Sequence, residues 1–183
     1  MDRYQTLTIY ALLIILTGII LIILSYNPLR VIQYAVAVAM FASAIFSFLT
    51  AFKSKNLQIN LKYHELHGAG MIIYGLAILF YATTLQIFLN ITAFFLLYYG
   101  MSEIIFCFQL LIMKQRNISA QVVAFRLIIG FFIAMGAVLS LATATINQNV
   151  ALLSAGAVFV FSGVYLIVFK TVLKKADKIV TPT

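Results

Sequence analysis

Six long runs of apolar residues, separated by shorter polar links, dominate the pattern of this chain. A helix that crosses about 30 Å of hydrocarbon needs roughly 20 mostly apolar residues, and each run is close to that length. We therefore predict six membrane-spanning helices. They cover residues 7–24, 31–52, 68–85, 87–113, 122–144 and 150–169.

The lengths of the links predict how these helices pair. The links at 25–30, 85–86 and 145–149 are very short, whereas those at 53–67 and 114–121 are longer and polar. Short links favour antiparallel neighbours. The pattern therefore predicts a single membrane domain over 1–183, built as an all-α bundle of three helical hairpins. The hairpins cover approximately 7–52, 68–113 and 122–169, and a basic tail follows at 170–183.

Composition supports a membrane protein over a soluble one. Apolar residues make up 64% of the 183 positions and charged residues 9%, and the mean hydropathy is +1.12. A soluble domain has roughly 25% charged residues, and a chain of this size has too little interior to hide so much apolar surface from water. A bilayer removes that constraint because it acts as the solvent.

Basic residues predict the orientation, because Lys and Arg beside the spans favour the cytoplasmic side. Eleven of the twelve fall on one predicted side, and Arg30 alone falls on the other, which predicts that both chain ends are cytoplasmic. The net charge of +8 therefore favours contact with anionic lipid headgroups rather than with nucleic acid. The cytoplasmic set is Arg3, Lys53, Lys55, Lys62, Lys114, Arg116, Arg126, Lys170, Lys174, Lys175 and Lys178.

The second predicted span carries a ridge of small side chains that recur every four residues. In a bilayer such ridges let helix backbones approach closely. We favour packing within the chain, and a homo-oligomer interface is the alternative. The ridge consists of Ala35, Ala39, Ser43, Ser47 and Ala51.

Small residues also recur at similar depths in the three hairpins, which predicts a repeated two-helix unit. The first and second helices of each hairpin contribute one position each, and the paired positions are 25, 25 and 27 residues apart. The pairs are Gly18 with Ser43, Gly75 with Gly100, and Gly136 with Gly163.

Three features are typical of one known family: the repeated hairpins, the Leu-Thr-Gly-Ile-Ile string at 16–20 and the Tyr-Asn-Pro turn at 26–28. In these features the chain resembles the short-repeat membrane proteins of bacteria, which include the HdeD-type acid-resistance protein. The resemblance implies a multi-pass protein of the bacterial inner (plasma) membrane with a role in stress adaptation. It implies no catalytic residues.

Glu103 is the one carboxylate within a predicted span, near the middle of the bilayer. An ionised carboxylate there is costly unless it is paired or neutralised. Arg126 is the expected partner, because the link at 114–121 returns the fifth span beside the fourth. We favour a structural pair between these spans, and a proton- or ion-responsive site is the alternative.

His64 and His67, with Glu65, form a second candidate group where the third span begins. Residues three apart share a helix face, and imidazole titrates near neutral pH, so a metal site and a response to pH are both candidate roles. The spacing is not that of a zinc protease, and no third ligand is evident. We therefore expect these histidines to lie at the lipid interface, with a pH response as the weaker alternative.

No motif for nucleotide binding or hydrolysis is present, and Cys107 stands alone. We therefore predict no enzyme activity, no catalytic residue, no cofactor and no metal. A non-enzymatic membrane protein with a structural or acid-stress role is the first hypothesis. A small transporter or channel using Glu103 and Arg126, with Tyr99, Ser102 and Gln109 nearby, is the second. An interaction scaffold acting through 53–67 and 170–178 is the third.

Overall fold

The computed structural model describes residues 2–23, 28–54, 63–112 and 120–180, and these residues form helices and turns with no strand. The predicted all-α fold is thus confirmed for this part of the chain. Element bounds are α1 Arg3–Ile23, α2 Leu29–Ser54, α3 Tyr63–Phe80, α4 Leu85–Ile112, α5 Ala120–Ala144 and α6 Gln148–Val180.

Three helices begin at polar residues that supply hydrogen bonds to the first turn. Asp2 and Gln5 satisfy each other's backbone N–H groups at the start of α1, at 2.7 and 3.0 Å. The hydroxyl oxygen of Thr84 accepts from the backbone of Ile87 before α4, and Asn147 does the same before α6. These are the positions at which helix N–H groups have no partner within the helix.

The six helices pack in a closed ring. Each helix contacts the next one along the chain, and α6 returns to α1. The contacts are most extensive between α1 and α6 and between α4 and α5, and they are least extensive, among neighbours in the ring, between α3 and α4. Buried apolar side chains from all six helices fill the interior of the ring.

Glycines lie at the two most extensive helix contacts. A Cβ atom on Gly18 of α1 would lie 2.5 Å from the backbone oxygen of Gly156 on α6. A Cβ atom on Gly100 of α4 would lie 2.9 Å from the backbone oxygen of Gly130 on α5. Both distances are too short for a side chain, so backbone packs directly on backbone. The threefold hairpin repeat itself stays a prediction.

The small-residue ridge of α2 lies largely inside the ring. Ala39, Ser43, Ser47 and Ala51 are buried, and the Ser47 hydroxyl donates to the backbone oxygen of His64 on α3 at 2.7 Å. Ala35, also part of the ridge, lines a shallow apolar groove between α1 and α2.

Large apolar side chains are exposed on the outer faces of all six helices, as on Leu12, Val38, Ile73, Met135 and Val164. Soluble monomers rarely expose an apolar surface of this extent to water, whereas the hydrocarbon chains of a bilayer cover such a surface without cost. The bundle thus has the exterior of an integral membrane protein.

Among the described residues five helices are long and apolar enough to cross a membrane, and α3 is the exception to the predicted six. The predicted third span continued to residue 85, but α3 ends at Phe80 and a turn follows. Its first turn is polar, so its apolar part, Gly68 to Phe80, is about 20 Å long at about 1.5 Å per residue. The cytoplasmic placement of both ends stays a prediction.

Several predicted features lie outside the described residues. They include most of the turn at 26–28, the basic loop at 55–62 with Lys55 and Lys62, and residues 114–119 with Lys114 and Arg116.

Candidate functional site

Glu103 and Arg126 are in direct contact in the interior of the bundle. The Arg126 Nε atom donates to Glu103 Oε2 at 3.1 Å, and Nη2 donates to the same oxygen. Both side chains are fully buried. Gly100 precedes Glu103 by nearly one turn and Gly130 follows Arg126 by about one turn, so the close α4–α5 contact brings the two charges together.

Aromatic rings enclose the rest of the Arg126 guanidinium group. Its central carbon lies 4.1 Å from the ring centre of Phe169, 4.6 Å from Phe106, 4.7 Å from Tyr63 and 5.8 Å from Tyr165. Arg126 Nη2 also donates to the Tyr63 hydroxyl at 2.6 Å. Ring faces attract cations, most strongly where water is excluded, so the aromatic rings and Glu103 together stabilise this buried charge.

His67 forms a second hydrogen-bonded group beside the ion pair. Its Nε2 atom is 2.6 Å from the Ser102 hydroxyl and its Nδ1 atom is 3.4 Å from the Tyr10 hydroxyl. Tyr10 in turn contacts the Tyr99 hydroxyl at 3.0 Å, and the Tyr99 ring stacks on the imidazole.

These contacts predict where the neutral imidazole carries its proton. The Ser102 hydroxyl is placed to donate to the Tyr99 backbone oxygen at 2.7 Å, so we expect His67 Nε2–H to donate to Ser102. Nδ1 is then the acceptor, and it accepts from Tyr10, which accepts from Tyr99. In this arrangement each ring nitrogen of a neutral His67 is satisfied.

His67 joins the two groups, because its Nε2 atom lies 3.9 Å from Glu103 Oε1. That oxygen has no hydrogen-bond partner among the described residues, and neither do Arg126 Nη1 and both ring nitrogens of His64. We call the whole assembly the buried polar cluster. It consists of Tyr10, Tyr63, His64, His67, Tyr99, Ser102, Glu103 and Arg126.

The expected position of the two histidines was wrong. His64 and His67 are fully buried and belong to the same cluster as Glu103, instead of facing lipid as a separate group. Residues 64, 67, 71 and 74 repeat at helical spacing, and all four face the interior. The histidines share that face with Met71 and Tyr74, while Glu65 is exposed.

Tyr10 and Tyr63 were not identified from the sequence. Each is a tyrosine in or beside an apolar run, a pattern equally typical of residues at the membrane–water interface. Tyr99 and Ser102 were recognised as polar neighbours of Glu103 because they lie within one turn of it. Gln109 lies outside the residues whose side chains are described.

The tautomer of His67 decides whether Ser102 is activated. A serine nucleophile needs a base that accepts its proton, whereas in the tautomer that we expect, His67 Nε2–H donates to Ser102. Ser102 also lies within α4, where backbone N–H groups are already bonded in the helix and cannot stabilise an oxyanion. Among the described residues, no group of three His, Cys, Asp or Glu side chains could hold a metal ion, and Cys107 is buried as a free thiol.

Comparison of the chain with protein-family models, with curated proteins and with solved structures found no match. Membership in the HdeD-like family therefore stays a prediction. The geometry of the buried polar cluster is the basis for a functional interpretation.

Proposed function

We propose that this chain is a non-enzymatic integral membrane protein that responds to acid, with the buried polar cluster as the responsive element. One observation carries the proposal: a fully buried Glu103–Arg126 pair lies within 3.9 Å of a buried histidine. Ionisable side chains are rare inside membrane-spanning bundles and commonly serve a function.

The charges within the cluster balance as long as the histidines are neutral. Arg126 carries one positive charge, Glu103 carries one negative charge, and a neutral His67 uses both ring nitrogens in hydrogen bonds. The titratable and charged groups around His67 are Tyr10 on α1, Tyr63 and His64 on α3, Tyr99 and Glu103 on α4, and Arg126 on α5.

One added proton leaves a net positive charge inside the bundle, whichever group takes it. If Glu103 takes the proton, Arg126 loses its counter-ion. If His67 takes it, two cations share one carboxylate and Nδ1 can no longer accept from Tyr10. An uncompensated buried charge costs several kcal/mol, so acid favours a rearrangement that admits water to the cluster.

The helices that such a rearrangement separates are α3 and α4. His64 and His67 belong to α3, Ser102 and Glu103 belong to α4, and these two helices have the least extensive contact among neighbours in the ring. The proposed response is therefore a loosening of α3 against the rest of the bundle. We also propose that the protein lies in the bacterial plasma membrane and acts in acid stress, and this part of the proposal rests on the HdeD-type resemblance.

The described grooves give less support to a transporter or channel. The grooves between α1 and α2 and between α3 and α4 are lined by apolar residues, and neither is lined by Glu103 or Arg126. An interaction scaffold would act through the basic segments 53–67 and 170–178. The side chains of 55–62 and 175–178 lie outside those that the structure describes.

The test compares unfolding at pH 7.5 and pH 5 for the wild-type chain and a His64→Gln/His67→Gln variant in detergent micelles. An imidazole that is neutral in the closed bundle and free to take a proton when exposed to water contributes stability that is lost below about pH 6.5. For each histidine the expected loss at pH 5 is about 2 kcal/mol.

Glu65→Gln is the matched control, because Glu65 lies between the two histidines on α3 but is exposed. We expect the control to lose stability at pH 5 as the wild type does and the double histidine variant to lose clearly less. Equal losses in all three proteins would show that the histidines do not couple acid to bundle stability.

A further inference from the structure

A groove with a volume of about 410 Å³ runs between α3 and α4 on the outside of the bundle. It exists because these two helices pack less extensively than any other neighbours in the ring. Small residues of α3, Ala69, Gly70 and Ala77, form its floor, and Phe94 and Phe95 of α4 lie along its other side.

The length of the groove matches one leaflet of a bilayer. It extends from Leu66 to Ala77 along α3, which is about 16 Å at about 1.5 Å per residue. The hydrocarbon of one leaflet is about 15 Å deep, half of the usual core thickness. A single extended acyl chain therefore has the length that the groove accepts.

The polar atoms along the groove are already engaged, so it presents an apolar wall. The Tyr98 hydroxyl donates to the backbone oxygen of Leu66 at 2.8 Å, and the Tyr74 hydroxyl contacts Thr92 Oγ1 at 2.9 Å. Tyr74 also stacks on Phe95 at 4.6 Å between ring centres. The rings are thereby held with their apolar faces available to an occupant.

The surroundings and the size of the groove indicate which kind of molecule can occupy it. It opens between Ile73 and Phe94, which are 67% and 61% exposed and belong to the apolar exterior that faces the bilayer. A helix of the same length occupies roughly 1,200 Å³ as a cylinder about 10 Å wide, which is far more than the groove holds. Water gains no hydrogen bonds there.

We propose that the groove between α3 and α4 is a binding site for one acyl chain of a bilayer phospholipid. The site holds the chain by close contact along the rings of Tyr74, Phe95 and Tyr98, and the headgroup stays outside the groove. Neither Glu103 nor His67 lines the groove, so lipid binding at pH 7.5 does not depend on the proposed acid response.

The absence of tryptophan from the chain allows a direct test. A single tryptophan is introduced as Phe94→Trp beside the groove, and its fluorescence in detergent micelles is quenched with a phospholipid brominated on its acyl chains. Phe132→Trp on α5 is the matched control, because Phe132 is equally exposed at 64% but lies away from the groove. Ile73→Trp reports from the opposite rim if Phe94→Trp is poorly folded.

At low lipid content we expect quenching of the groove tryptophan to saturate near one phospholipid per protein, whereas the control needs a large excess. Ala77→Phe, which fills the floor, should abolish the saturable phase, and Ala142→Phe on the exposed end of α5 should leave it intact. Identical quenching at both tryptophans, or a saturable phase that survives Ala77→Phe, overturns the proposal. Saturation with a brominated free fatty acid but not with the phospholipid overturns the assigned ligand.

Discussion

His67 on α3 and Glu103 on α4 face each other inside the bundle, with 3.9 Å between the imidazole Nε2 atom and a carboxylate oxygen. This contact joins an ion pair to a chain of hydrogen-bonded tyrosines. Because Arg126 occupies the other carboxylate oxygen, Glu103 is shared between a permanent cation and a side chain that becomes a cation only in acid. The contact thus links the charge of the interior to the packing of α3.

The ion pair should behave as a unit. Glu103→Gln removes the counter-ion of Arg126 and leaves a buried charge unpaired, and Arg126→Met does the same to Glu103. Each change should cost about 3–5 kcal/mol. The double variant should cost much less than the sum, since it leaves no charge behind. Unfolding by SDS titration in mixed micelles measures all four corners of this cycle, and additive losses would mean that the two residues act independently.

The Tyr63 hydroxyl should stabilise the arginine separately from the ring that carries it. Tyr63→Phe removes one acceptor of a charged donor, and we expect a loss of about 1–3 kcal/mol in the free energy of unfolding. Tyr63→Leu also removes the ring face, so it should lower the free energy of unfolding by up to about 2 kcal/mol more than Tyr63→Phe does. Tyr81→Phe, at an exposed tyrosine in the turn after α3, serves as the control. A Tyr63→Phe protein as stable as this control would refute the role of the hydroxyl.

The hydrogen bonds around His67 predict one tautomer. Because Ser102 donates to the backbone, His67 should carry its proton on Nε2 at neutral pH, and Tyr10 should donate to Nδ1. The ¹⁵N chemical shifts of labelled histidine distinguish the two nitrogens, and a His64→Gln variant assigns the signal. A proton found on Nδ1 would reverse the direction of the hydrogen-bonded chain from His67 to Tyr99.

Much of the fold could be predicted from hydrophobic runs alone. In hydrocarbon every backbone polar group must be satisfied within the segment, so long apolar runs can form only helices here. The third run was the exception, because uncharged residues continued through 81–85 although the helix ends at Phe80. The absence of charge does not distinguish a helix from an uncharged turn at its end.

The buried polar cluster could be predicted only in part. Glu103 stood out because a carboxylate is unusual in an apolar run, and the link that returns the fifth span beside the fourth suggested Arg126 as its neighbour. The contact between His67 and Glu103 depends on how α3 rotates about its axis and packs on α4. A polar first turn gives no indication of that rotation, because histidines at the end of a span are equally compatible with a position at the lipid interface.

Gly100 should be more sensitive to substitution than a glycine that faces a movable ring. A Cβ atom on Gly100 would lie 2.8 Å from the backbone nitrogen of Ala134 and 2.9 Å from the backbone oxygen of Gly130, neither of which can rotate away. Gly100→Ala should therefore force α4 from α5 beside the ion pair and cost about 1–3 kcal/mol or more.

The control for this change is Gly68→Ala, whose Cβ atom would meet the Phe48 ring at 2.9 Å. Phe48 is partly exposed on the outer face of α2, so its ring can turn toward lipid at little cost. In SDS titrations Gly100→Ala should lower the free energy of unfolding clearly more than Gly68→Ala. In the Glu103→Gln/Arg126→Met background the cost of Gly100→Ala should shrink, since no charge pair is left to separate. An unchanged cost there would show that the glycine contact and the ion pair stabilise α4 against α5 independently.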